Sequence, residues 1–142
     1  MMSANRLSVA LGIALGTLLL GACVTSGQGT PEKQQPVLAV VSKGLPGVLI
    51  FDAATDREIC RVNLDVAPHE AAFSADGRQL FVPIYSSANI GQPGPDGRSI
   101  VFLRTADCAI EAELDTGMYL RPHYVERGRS GLLYVTAEQD QA

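Results

Sequence analysis

Only two histidines occur in the chain, His69 and His123, and each directly follows a proline. An imidazole titrates near neutral pH, so it can serve as a general base or a metal ligand. Glu70 stands beside the first histidine, and Arg121 stands two residues before the second. A guanidinium suits an anionic carboxylate or phosphate, which it can hold in a bidentate grip. His69, Glu70, Arg121 and His123 are therefore the candidate ligand-binding set. Two histidines are too few to support a metal site, because zinc normally takes three or four protein ligands. No metal and no cofactor is expected, and the sequence leaves any catalytic residue unknown. A second reading of the Pro-His pairs also stands, in which they only orient a turn and hydrogen-bond locally.

Other residues offer less chemistry. Cys60 and Cys108 are not in CxxC spacing, so neither a redox motif nor a zinc knuckle is indicated. The acids Asp52, Asp56, Glu58, Asp107, Glu111 and Glu113 alternate with apolar residues, as solvated strand faces and turn caps do. GxSxG, P-loop, HExxH and GxGxxG patterns are all missing. The formal charge is -4 and no basic cluster exists, so nucleic acid is not an expected partner.

The start of the chain reads as an address. Residues 1–6 carry one positive charge, and residues 7–20 read LSVALGIALGTLLL without any. A span of that length is short for a membrane crossing and right for a signal-peptide core. Leu20-Gly21-Ala22-Cys23 follows at once, and this resembles the lipobox of bacterial lipoproteins. The resemblance implies a signal peptide over 1–22, lipid on Cys23, and a membrane as partner through that lipid. Val24 is not the Asp that holds such proteins at the inner membrane, so the expected place is the outer membrane, facing the periplasm. Residues 23–36 lack apolar periodicity and read as a flexible tether.

From residue 37 onward, short apolar runs alternate with turn signals, the pattern of an all-β fold. The segment repeats itself. Phe51 matches Phe102 and Asp56 matches Asp107, each 51 apart. Pro68-His69 matches Pro122-His123 at 54, and Leu80-Phe81-Val82 matches Leu133-Tyr134-Val135 at 53. A period near 50 residues with about four strands per unit is that of a propeller blade. Strands are predicted at 37–41, 48–52, 58–64, 69–73, 79–84, 99–103, 109–114, 122–125 and 132–136, with no helix after the leader. Asp76-Gly77 supplies a hairpin turn, and 85–98 is a long loop.

The stretch APHEAAFSADGRQLFVPIY (67–85) resembles the repeat of the YVTN-type β-propellers, the YncE-like and lactonase-like group. GVLIFDAATDREICRVNL (47–64) is similar to the hairpin that accompanies it there. The second copies, SIVFLRTADCAIEAEL and RPHYVERGRSGLLYVTAE, match less closely. The resemblance implies an all-β, incomplete β-propeller over 37–142, of about two four-stranded antiparallel blades. It implies that the histidines lie near the mouth of a central channel, where a protein or small molecule could bind. Function follows less directly, since one fold hosts many activities. A non-catalytic binding or scaffold module fits the missing catalytic motifs. The alternative is a lactonase-like hydrolase or a periplasmic redox-associated propeller enzyme.

In the blade lettering, strands b, c and d of one unit precede a whole blade, and only a and b of another follow. The expectation is a fragment of a longer propeller protein, with closure by oligomerisation as the rival. Cys60 and Cys108 fall on or beside the outer d strands of neighbouring blades. Outer strands splay apart and a disulfide needs close Cα atoms, so a bond between them is not expected.

Overall fold

A computed structural model describes residues 35–89 and 92–139. The leader, Cys23 and nearly all of the tether lie outside the described residues. Nine strands form in chain order: β1 (Val37–Ser42), β2 (Gly47–Asp52), β3 (Arg57–Asn63), β4 (Ala72–Phe73), β5 (Gln79–Ser86), β6 (Asp96–Arg104), β7 (Ile110–Asp115), β8 (Pro122–Arg127) and β9 (Leu133–Ala137). They make three antiparallel sheets, β1-β2-β3, β4-β5-β6-β7 and β8-β9. Among the described residues there is no helix.

Side-chain alternation explains how the sheets stack. Successive residues of a strand point to opposite faces. In β5, Leu80, Val82 and Ile84 face the first sheet, while Phe81 faces the third. In β6, Val101 and Leu103 face the first sheet, while Ile100 and Phe102 face the third. The middle sheet is thus apolar on both faces, and β5 is buried along almost its whole length. Val48 and Ile50 of β2 complete the first seam. Val125 of β8 and the half-buried Leu133 complete the second. β7 lies at the edge and is exposed throughout, which suits its Glu-rich sequence.

Two glycines allow close approaches. A Cβ on Gly47 would collide with the Val62 carbonyl oxygen of β3. A Cβ on Gly97 would collide with the Ile84 carbonyl oxygen of β5. That second approach lets β6 start at Asp96, paired with Ser86. The loop expected over 85–98 is correspondingly shorter. The strand expected over 69–73 is also shorter: only Ala72–Phe73 pair with β5, preceded by an isolated bridge between Pro68 and Ile84.

The repeat holds with one shift of register. Asp56 and Cys108 both take left-handed backbone, φ 57° each, at the ends of matching turns. Each turn closes with an N–H donating back four residues, Asp56 to Asp52 and Cys108 to Arg104, at 2.9 Å. The equivalent residues are therefore Asp56 and Cys108, 52 apart, rather than Asp56 and Asp107. Phe51 likewise corresponds to Leu103. A one-residue slip reverses every face, which is why Phe102 packs into the second seam while Phe51 turns away from the first.

Cys60 and Cys108 form a disulfide with Cα atoms 5.7 Å apart, against expectation. The reason is local. Cys108 is not on β7; it ends the left-handed turn before it, is buried, and reaches toward the first sheet. Cys60 on β3 points inward at the same seam. The bond ties the first two sheets together.

Candidate functional site

His69 is fixed by its proline. Pro68 bridges Ile84, and the Ala67 carbonyl accepts the N–H groups of Tyr85 (2.9 Å) and Ser86 (3.2 Å). His123 sits in β8, after a fully buried Pro122 paired with Ala137. These anchors bring the two imidazoles together, ring centroids 3.9 Å apart and tilted by 34°. They meet where the second and third sheets approach, next to the end of β5.

Glu70 joins them. Its Oε1 lies 3.9 Å from Nδ1 of His69 and 3.9 Å from Nδ1 of His123. One donor atom from each of the three residues falls within 4.8 Å of the others. Nδ1 of His69 is itself buried and has no hydrogen-bond partner among the described residues. Burial holds the His69 pKa below its ordinary value, and the neighbouring His123 adds to that effect. The ring is therefore a neutral base at pH 7.

Three residues that sequence reasoning did not select complete the cluster. Tyr85, fully buried, lies edge-on to both histidines, at 5.0 Å from His69 and 5.4 Å from His123. Its hydroxyl donates to Oε2 of Glu138, and this bond, with burial, raises its pKa. The other oxygen of Glu138 lies 3.4 Å from Nε2 of His123. Lys43, from the β1–β2 turn, places its ammonium 4.9 Å above the Tyr85 ring, a cation–π arrangement. Tyr85 and Glu138 are 53 residues apart, the offset that separates the LFV and LYV strands. Extending that repeat alignment by three residues would have found the pair.

Arg121 is placed differently. Its backbone is left-handed, φ 54°, held by an N–H to the Gly97 carbonyl (2.9 Å) and by its own carbonyl accepting the Glu138 N–H (3.1 Å). Its guanidinium donates to Asp96 (2.6 Å) and to the Gln92 carbonyl (2.6 Å), and is almost wholly buried. It reaches the cluster only as a flank, 5.9 Å from the Tyr85 ring. The guanidinium that would grip an anion is thus engaged inside the protein, and Arg121 pins the start of β8 to β6 and to the loop before it. The side chains that remain are two imidazoles, two carboxylates and a phenol, with the Lys43 ammonium at the edge over the phenol ring. That set favours a cation or a hydrogen-bonding polar group over an anion.

A separate cleft of ≈ 380 Å³ opens between the first two sheets, lined among others by Asn63, Asp65, Ile84, Asp96, Arg98 and Glu113. None of the four sequence candidates lines it. No family model, no curated protein and no solved structure matches this chain.

Proposed function

We propose that this chain is a lipid-anchored β-propeller module of a bacterial cell envelope, and that it binds a ligand at the histidine cluster rather than catalysing a reaction. The observation that carries the binding reading is convergence. Two pairs of repeat-related residues, His69 with His123 and Tyr85 with Glu138, meet in one group drawn from different sheets. Local turn-building would not need the second histidine to stack on the first.

The propeller reading is supported by three antiparallel sheets stacked in chain order, the middle one four-stranded. It is also supported by the outward faces. Leu38 and Val40 on β1, and Tyr124 and Tyr134 on the last sheet, are exposed. In a propeller such faces pack against further sheets of the same kind. The anchor reading rests on the LGAC sequence at 20–23 and the apolar run before it.

Two experiments test this. Cys23→Ala should move the protein from the membrane to the soluble fraction; unchanged fractionation would remove the anchor. Native mass spectrometry of the purified full chain should show a small molecule retained by the wild type and lost from the His69→Ala/His123→Ala double variant. Retention indifferent to both histidines would reject the site. A hydrolytic reading, lactonase-like, has one observation in its favour: the unpartnered, neutral His69 Nδ1 is in the state a general base requires. Turnover of a sugar lactone abolished by His69→Ala would establish it in place of simple binding.

A further inference from the structure

The structure assigns His69, Glu70 and His123 as the ligands of a divalent transition-metal site of the zinc class, with Glu138 and Tyr85 as its supporting shell. This rests on the binding-site reading above and names the ligand's chemistry.

The donor set comes first. Two imidazoles and one carboxylate, with a remaining position for water or an exogenous group, is a combination that zinc adopts in open sites. Calcium and magnesium prefer all-oxygen shells, so imidazoles select against them. The geometry points the same way. Oε1 of Glu70 is equidistant, 3.9 Å, from both Nδ1 atoms. A hydrogen bond to either ring would bring that pair to about 2.7–3.2 Å. The oxygen bonds neither ring and faces both. Bonds of 2.0–2.1 Å around a tetrahedral ion place donors about 3.3 Å apart. The Glu70 side chain is 44% exposed and free to rotate inward by that difference.

Nδ1 of His69 supplies a second observation. A buried nitrogen with no partner is costly unless something satisfies it. A metal ion would do so. The third observation lies behind the donors. Metal-bound histidines commonly turn their other nitrogen to a carboxylate, which fixes ring orientation and raises ligand basicity. His123 does this, with Nε2 at 3.4 Å from Glu138, whose second oxygen accepts the Tyr85 hydroxyl. Tyr85 and Glu138 thus stand behind one ligand, with the Glu138 carboxylate aimed at its second nitrogen. Two carboxylates, Glu70 and Glu138, offset the ion's charge, against one ammonium, Lys43, over the Tyr85 ring.

The test is a titration of the full chain, stripped with a chelator, with Zn²⁺ followed by calorimetry, and with Co²⁺ followed by visible spectroscopy. The expected result is one ion per chain, with tetrahedral d–d bands for cobalt and no competition from excess Ca²⁺ or Mg²⁺. His69→Ala/His123→Ala should abolish binding. Glu70→Gln should weaken it at least tenfold, and Glu138→Gln by about 10–100-fold, as supporting-shell changes do. Glu113→Gln, in the separate cleft, should leave it unchanged. If the double variant fails to fold, the exposed Glu70→Gln decides. No zinc binding, or zinc affinity indifferent to Glu70→Gln, overturns the assignment. Should zinc fail while histidine-dependent retention of a small molecule persists, the metal falls and the binding site survives. Should both fail, the site itself falls.

Discussion

The two seams of this molecule are built differently. Between the first and second sheets, eight buried residues, Val48, Ile50, Leu80, Val82, Ile84, Val101, Leu103 and Cys108, form a continuous apolar layer closed by a disulfide. Between the second and third, the apolar cluster has three buried members, Phe81, Ile100 and Val125, edged by the half-buried Leu133. Where this second layer stops, the histidine cluster begins. The first seam stores stability, and the second gives up part of its apolar area to bring polar groups together. The second interface thus gives to stacked imidazoles and a phenol the place that the first gives to aliphatic side chains.

The largest effect should come from opening the first seam. A disulfide closing a loop of 48 residues contributes about 4 kcal/mol in the chain-entropy account. Cys60→Ser/Cys108→Ser, or reduction, should lower the denaturant midpoint by a corresponding amount in equilibrium unfolding; an unchanged midpoint would show that the first seam does not depend on the bond. Cavity formation should rank the seams next. Leu80→Ala and Ile100→Ala both truncate fully buried aliphatic side chains. Such losses cost about 2–5 kcal/mol, more where neighbours cannot collapse. Leu80→Ala should cost more than Ile100→Ala, because the thinner seam can relax; the reverse order would contradict the comparison.

A smaller effect concerns acid. Asp52 caps the turn after β2, accepting N–H groups from Ala54 (2.8 Å) and Thr55 (3.3 Å). The Ala54 N–H, then the Thr55 hydroxyl, hold its pKa below the ordinary value of 3.8. A depressed carboxyl stabilises the fold above its unfolded pKa and loses that contribution as pH falls through the folded value. Thermal melting below pH 4 should therefore be less steeply pH-dependent in Asp52→Asn than in wild type. The matching turn of the second sheet is held differently: it begins with Arg104, whose guanidinium donates to Asp107 at 2.9 Å, and Asp107 accepts the Ala109 N–H at 3.1 Å. The smallest effect is alkaline. Glu138→Gln removes the carboxylate that keeps the Tyr85 proton in place, so tyrosinate absorbance should rise at lower pH than in wild type. No shift would mean that the two side chains do not meet.

Much of this was legible in the sequence because β alternation and turn chemistry are local. Strand number, strand order and the three-, four- and two-strand grouping follow from apolar runs and their spacing. His69, Glu70 and His123 could be nominated because a repeat places equivalent residues near one another. What escaped depended on face and on partners. Phe51 and Phe102 are both aromatic, so type alone aligned them one residue out of register. Cys108 stands beside an outer strand that the repeat expects to splay away, but its left-handed turn aims it inward. Arg121 was offered to a ligand, yet Asp96, 25 residues upstream, had already claimed its guanidinium. Glu138 carries no local motif at all; it stands out only when the β5 alignment is carried to its end.

The central claim is that equivalent residues of the two repeats meet as one site. Since the chain has only two histidines, their ring protons can be assigned without ambiguity. A proton nuclear Overhauser spectrum of the full chain with labelled histidine tests the contact directly. Ring centroids 3.9 Å apart require strong cross-peaks between the two imidazoles, lost on His123→Ala. Two well-resolved histidine ring systems with no cross-peak between them would contradict the account.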